Sequence, residues 1–227
     1  MDVVANNMAN LNTAGFKGEK LLFEDYLMPV AADHEVTGDD QLLHYTQDWA
    51  TVHNFLPGAI QQTGGTFDLA LNGDGFISIQ TPDGIGYTRN GQLKLDNTGL
   101  LVTNDGHPVL SEVGEIRFGP EETGIVFGEN GTILSSAGNK GRLRMVRFDN
   151  PQELTRVGST TFMGENALPD IETRVVQGAI ERANVSGITE MTNMIHVNRA
   201  YQSITNMMQR QDELRSTAIQ RLGSLQA

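Results

Sequence analysis

With no cysteine among its 227 residues, this chain can draw its chemistry only from carboxylates, histidines, hydroxyls and amides. Thiolate metal sites, cysteine nucleophiles and disulfide frameworks are excluded together. The stretch "LNGDGFISI" (71–79) has the look of a calcium loop. It lacks the alternating D-x-[DN]-x-[DN]-G carboxylates and the distal Glu that such a loop needs, so a turn between strands is the better reading. His34, His44, His53, His107 and His196 lie far apart with no His-x-x-x-His pair, which leaves them without zinc-ligand spacing. Asp39-Asp40 and Glu121-Glu122 are adjacent carboxylates in glycine-flanked sequence, a poor way to hold an acid and a base at a set separation. No nucleophile elbow, dinucleotide fingerprint or P-loop lysine occurs, and the reading is of a protein that is not an enzyme and carries no cofactor or metal. The sequons at Asn130 and Asn184 are read as chance.

The densest polar pattern is amide chemistry: "NNMANLNTAGFK", residues 6–17, ending in Gly15-Phe16-Lys17. Asparagine competes with helical backbone and favours helix ends and turns. Asn10, Asn12 and Thr13 can therefore terminate a helix carrying Val4, Met8 and Leu11 at i, i+4, i+7, while Gly15 lets the chain reverse. That helix is too short to be stable alone. Asn6 and Asn7 lie inside it, with amides expected to be free for neighbouring subunits.

The elements that must position these groups fall into zones. From Leu21 to Thr63 the periodicity weakens around Pro29, Gly38, Pro57 and Gly58, and "DHEVTGDD" reads as a solvated acidic loop in an extended connector with little regular structure. From Gly64 the signal becomes short β segments separated by Gly73-Asp74-Gly75, Pro82-Asp83-Gly84, Asn90-Gly91, Asn97-Thr98-Gly99 and Asn104-Asp105-Gly106. These are hairpin turn residues, and they predict a meander of antiparallel strands running to about residue 169. From Ile188 to Leu225 there is no proline, and Met194, Val197, Tyr201, Ile204, Met207, Leu214, Ala218, Leu222 and Leu225 recur mostly at helical steps. Such a helix would be about 57 Å long at about 1.5 Å per residue, more than the β domain can cover. Its stripe either joins a bundle with other chains, the natural outlet, or folds back along its own β domain. The methionines Met191, Met194, Met207 and Met208 suit either an adaptable groove or an ordinary core stripe.

The predicted organisation is thus an N-terminal helix and Asn-rich turn (1–28), a connector (29–63), a central β domain (64–169), a return connector (170–187) and a C-terminal helix (188–227). The fold class is mainly β with terminal α-helices, a central antiparallel β domain flanked by N- and C-terminal helices that pair into an axial bundle. With 38% apolar residues there is material for a core. Sixteen basic against 28 acidic residues leave a net charge of −12, which disfavours nucleic acid and anionic membrane surfaces as partners. No secretory signal or apolar run of bilayer-spanning length is present.

Three stretches together resemble the axial proteins of the bacterial flagellar rod and hook. "ANNMANLNTAGFK" is similar to that family's N-terminal signature. The run "GGTFDLALNGDGFISIQTPDGIGYTRNGQLKLDNTGLLVTNDGHPVL" is similar to its central β segment, and "QGAIERANVSGITEMTNMIHVNRAYQS" to its C-terminal signature. Length and the tail "RQDELRSTAIQRLGSLQA" look most like the F-type proximal rod branch, with the distal rod branch as the alternative. The resemblance implies a structural subunit that self-assembles helically into a torque-transmitting drive shaft, with terminal helices lining the inner tube. Its partners would be copies of itself, other rod proteins and the flagellar export apparatus, and its place the periplasmic rod of the basal body, reached without a cleaved signal peptide. Over the matching signatures it implies an assembly interface at Asn6, Asn7, Asn10, Leu11, Asn12, Thr13, Gly15, Phe16 and Lys17, and at Glu190, Met191, Asn193, Met194, Arg199, Ala200 and Tyr201. Family members usually carry additional helix ahead of Met1, and a chain starting here is expected to export or assemble poorly. A secreted carbohydrate-binding module with a coiled-coil stalk would need an aromatic platform, and Trp49 with 6% aromatics supplies it poorly. A peptidoglycan hydrolase lacks a recognisable site.

Overall fold

A computed structural model describes residues 1–29 and 42–224, with side chains over 1–22 and 51–217. Helix α1 (Asp2–Ala9) opens the chain and helix α2 (Gly187–Ser224) ends the described part. Between them lie β1 (Glu19–Pro29), β2 (Leu42–His53), β3 (Ile60–Gln62), β4 (Leu69–Asn72), β5 (Phe76–Thr81), β6 (Gly84–Thr88), β7 (Leu93–Leu95) and β8 (Leu101–Thr103). They are followed by β9 (Val126–Phe127), β10 (Thr132–Ser135), β11 (Gly138–Arg142), β12 (Met145–Arg147), β13 (Thr155–Arg156), β14 (Thr161–Met163), β15 (Leu168–Pro169), β16 (Arg174–Gln177) and β17 (Ala179–Glu181). The architecture is a mainly β centre flanked by terminal helices, and every strand pair is antiparallel.

The strands do not form a simple meander. The largest sheet has the order β13-β14-β6-β5-β12-β15, so strands distant in sequence lie side by side. Pro82-Asp83-Gly84 closes the β5–β6 hairpin and Asn97-Thr98-Gly99 the β7–β8 hairpin, as their turn residues predict. Gly73-Asp74-Gly75 and Asn90-Gly91 do something else. They step the chain from one sheet to another, since β4 pairs with β16 and β7 with β8. Gly91 is required there by close approach, because a β carbon would stand 1.6 Å from the Leu69 carbonyl oxygen.

Strand periodicity explains why this sheet is covered on both faces. Side chains alternate, so on β5 Ile77 and Ile79 enter one core with Leu69, Leu101, Ile133 and Met145, while Phe76 enters a second with Tyr87, Val146 and Phe162. Phe55, Phe76, Phe148 and Phe162 of the second core meet edge-on, apart from the tilted Phe55–Phe162 pair, with centroids 5.3–6.2 Å apart.

Two expected connectors contain regular structure. The first holds an antiparallel ribbon, β1 with β2, interrupted by a register shift at Leu22/Phe23. Its predicted acidic loop, residues 33–40, lies outside the described residues. The return connector holds β16, paired to β4, and β17, paired to β3. Strands of three or four residues carry too little periodicity to register in a sequence pattern. Helix α2 runs straight through Gly223 and its described apolar stripe is exposed rather than folded onto the β domain. No described helix is long and apolar enough to cross a membrane.

Candidate assembly joint

The Asn-rich segment ends α1 as its chemistry dictates. The Asn10 backbone N–H donates to the Asn6 carbonyl at 3.2 Å, and the Asn10 amide donates to the Asn6 carbonyl and side-chain oxygens at 3.0 and 2.9 Å. Thr13 Oγ1 donates to Asn10 Oδ1, so the turn is tied by its own side chains. Gly15 then takes φ of 67° and passes so close to β6's outgoing chain that a β carbon would stand 2.4 Å from Arg89 C and Asn90 N. Only glycine fits.

Past Gly15 the chain dives into the molecule. Phe16 is fully buried, with the Arg156 guanidinium 4.7 Å above its ring. Lys17 is buried too, and its Nζ donates to Glu181 Oε1 at 2.6 Å and to the Leu56 carbonyl at 2.8 Å. The Gly58 N–H donates to the same Glu181 oxygen at 2.8 Å, and Arg89 Nε lies 3.4 Å from Glu181 Oε2. Arg89 is held in turn by the Gly73 and Gly75 carbonyls, at 2.6–2.7 Å. Burial lowers the Lys17 pKa from its ordinary value, against the opposing pull of Glu181, and burial lowers that of Arg89 likewise. Lys17, Arg89 and Glu181 are thus buried together, an arrangement worth more as geometric specification than as net stability.

A second tier of amides braces this network. Asn7 Nδ2 donates to the Glu19 carbonyl at 2.9 Å and Asn7 Oδ1 accepts from the Glu19 N–H at 3.0 Å, in the manner of a neighbouring strand. Asn184 Oδ1 accepts from the Gly18 N–H, and its Nδ2 donates to the Asn54 and Leu56 carbonyls. The Gly15 N–H donates to the Glu181 carbonyl at 2.8 Å. At the root of the ribbon, Glu19 Oε1 lies 3.3 Å from His53 Nδ1 and 3.4 Å from Arg156 Nε, and Arg156 Nη2 donates to the Lys17 carbonyl. Burial first, then the Arg156 charge, lowers the His53 pKa, with Glu19 opposing.

The sequence-predicted residues therefore divide. Asn7, Gly15, Phe16 and Lys17 are buried within the chain, and the Asn7 amide, expected to be free for a neighbour, is bound at both ends inside it. The Asn6 side chain accepts from Asn10 rather than standing free. Leu11 is half-buried and lies over the start of α2, where a β carbon on Gly187 would be 3.1 Å from Leu11 Cδ1. Asn12 is exposed, and Asn6, Asn10 and Thr13 are half-buried. On α2, Glu190 and Met194 are half-buried, while Met191, Asn193, Arg199, Ala200 and Tyr201 face solvent. Sequence reasoning did not single out Glu181, Arg89, Arg156 or Glu19, and noted Asn184 only as a chance sequon. The available signal was a lysine directly after a Gly-Phe step and a glutamate closing an apolar strand, both charged residues in apolar surroundings.

What this geometry can do is mechanical. It ties both helical ends of the chain to one β body, and among the described residues no cluster of three metal-ligating side chains accompanies it. That defines a structural subunit built to present two terminal helices. Three family models match in order: a flagella basal body rod protein model over residues 1–17, the flagellar hook protein FlgE/F/G D1 domain over 70–135, and the flagellar basal body rod FlgEFG protein C-terminal model over 176–221. The chain is 34% identical to the flagellar basal-body rod protein FlgF of Caulobacter vibrioides, over 99% of this chain and 92% of that protein. It is 32% identical to the flagellar basal-body rod protein FlgG of Bacillus subtilis, over 94% and 90%. The FlgF of Mesorhizobium japonicum is 29% identical over 99% and 92%. The chain belongs to the flagellar basal-body rod protein family, whose members are structural and non-catalytic.

Proposed function

We propose that the chain is a subunit of the proximal rod, assembling helically with its own copies and with other rod proteins into the shaft that carries torque from the membrane ring to the hook. The observation that carries this reading is the apolar stripe of α2: Tyr201 is 72% exposed, Met207 72% and Leu214 71%. A stripe of that length left in water marks an interaction face. Met191, Asn193, Met194, Arg199, Ala200 and Tyr201, with Leu11 and Asn12 beside them, form the contact to neighbouring subunits, and residues 1–28 and 188–227 form the axial part. Asn7, Gly15, Phe16 and Lys17 serve the same interface indirectly, by holding the helices in register on the β domain.

The chain reaches the periplasm through the flagellar export apparatus and is placed in the basal body. A distal position in the rod is the second reading, supported by the likeness to FlgG proteins. Electron cryotomography of basal bodies carrying a tagged copy tests both. Extra density next to the membrane ring is expected; density next to the hook selects the distal reading, and its absence from the basal body overturns both.

A further inference from the structure

The chain contains three Asn-Gly steps, Asn72-Gly73, Asn90-Gly91 and Asn130-Gly131, and such steps carry a chemistry of their own. A glycine nitrogen, with no side chain beside it to obstruct approach, can attack Cγ of the preceding asparagine. The reaction needs a free side-chain amide and a free N–H. Asn90 is buried, its Oδ1 accepts from the Gln92 N–H at 3.0 Å, and Gly91 is pressed against the Leu69 carbonyl. Asn130 is exposed, but its Oδ1 accepts from the Thr132 N–H at 3.1 Å and the Gly131 N–H donates to the Gly128 carbonyl at 2.8 Å. At Asn72-Gly73 both residues are exposed. Among the described residues, neither the Asn72 side chain nor the Gly73 N–H makes a hydrogen bond. Asn72 is also the last residue of β4, so no further strand pairing fixes the peptide that follows it.

This exposed step is wired to the buried joint. The Gly73 carbonyl accepts from Arg89 Nη1 and Nη2 at 2.7 and 2.6 Å. Arg89 Nε stands 3.4 Å from Glu181 Oε2, an oxygen that makes no hydrogen bond among the described residues, and Glu181 Oε1 holds Lys17. Little slack exists at the glycine itself. A β carbon on Gly73 would stand 2.5 Å from Thr173 Oγ1 and 2.9 Å from Thr173 Cα.

We propose that Asn72-Gly73 is a self-modifying site, at which conversion of Asn72 to isoaspartate loosens the joint that holds the N-terminal segment. The Gly73 nitrogen gives up its proton to water and bonds to Asn72 Cγ. The Cγ–Nδ2 bond breaks, Nδ2 takes up a proton and leaves as ammonia, and a cyclic imide remains. Water then opens the ring at one of its two carbonyls. In sum one water is consumed, one ammonia is released, and a neutral amide becomes a carboxylate, with nothing oxidised or reduced. Opening at the main-chain carbonyl leaves the backbone running through Cγ, and isoaspartate lengthens it by one carbon. With Thr173 packed against Gly73, that carbon is not absorbed in place. The Gly73 carbonyl is displaced from Arg89, and Arg89 from Glu181.

Peptide mass spectrometry of the full-length protein aged in mildly alkaline buffer, with isoaspartate read by enzymatic methylation, tests the site. Isoaspartate is expected at position 72 about tenfold faster than at 90 or 130, the ratio that about 1.4 kcal/mol of barrier gives. In urea, where the fold no longer distinguishes them, the three rates converge. Equal rates in the folded chain, or faster conversion at 90 or 130, overturn the assignment. Limited proteolysis of the same samples tests the consequence: cleavage within residues 1–17 rises in step with isoaspartate at 72. Asn72→Gln, whose longer side chain closes the ring far more slowly, stays uncleaved over the same period. Freshly prepared Asn72→Asp supplies the charge without the added carbon and resists cleavage as fresh protein does. Conversion with unchanged cleavage, or Asn72→Asp protein cleaved as readily as the aged chain, overturns the coupling to the joint.

Discussion

Lys17 Nζ stands 2.6 Å from Glu181 Oε1, although 164 residues separate them in the chain. Both side chains are 1% exposed, so neither charge has water to fall back on. Glu181→Gln removes the carboxylate that pairs directly with Lys17 and Arg89. Breaking a buried pair from one side costs about 3–5 kcal/mol, and urea unfolding of the full chain is expected to show a loss in that range.

Gly15→Ala places a methyl group against the Arg89–Asn90 backbone at a positive φ. The dihedral alone costs about 1–2 kcal/mol for a non-glycine residue, and the clash cannot be relieved by a rotamer. The N-terminal segment should detach as a unit. Limited proteolysis is expected to cleave within residues 1–17 while the body from β3 to β17 stays resistant.

Asn7→Leu is nearly isosteric and removes both bonds to Glu19. It leaves a donor and an acceptor at the ribbon's root without partners, at about 1–3 kcal/mol. Amide exchange at Glu19 should accelerate in step with that loss, with the β domain core unchanged.

Tyr201→Glu probes the other side of the design. Its site is exposed in the single chain, so monomer stability should move by no more than about 0.5 kcal/mol. Assembly should fail nonetheless, read as loss of the sedimenting polymer and of motility on complementation. Normal assembly by this variant would remove α2 from the interface.

The root of the ribbon makes stability depend on pH. His53 has a folded pKa below its ordinary 6.5 because burial and the Arg156 charge oppose protonation. The unfolded chain then binds the proton first. The contribution is fully present above about pH 6.5 and is lost as pH falls through the folded value. Thermal melts at pH 7.5 and 5.0 should differ, and His53→Asn should narrow the difference.

Helix α2 and the hairpins at Asp83 and Thr98 were legible because their signals are local: a proline-free apolar stripe, or turn residues between alternating segments. Sheet order was not, since a period of two says which face a residue takes and nothing about which strand lies alongside. The ribbon escaped because Pro29 and the acidic run suppress the apolar alternation by which a strand is recognised. The joint was half legible. Asn10, Gly15 and Lys17 stand out within their own segment, but the role of Lys17 depends on Glu181 and Arg89, which reach it only through the completed fold.

The long span of the Lys17–Glu181 bond also sets an order of events. Neither end of the chain can complete this bond by itself, and closing so wide a loop is entropically unfavourable until the strands between have paired. The terminal helices therefore come into register last, and only on a chain whose β body has formed correctly. A subunit misfolded in the middle has no competent helix pair to offer, so the bond acts as a quality checkpoint ahead of polymerisation.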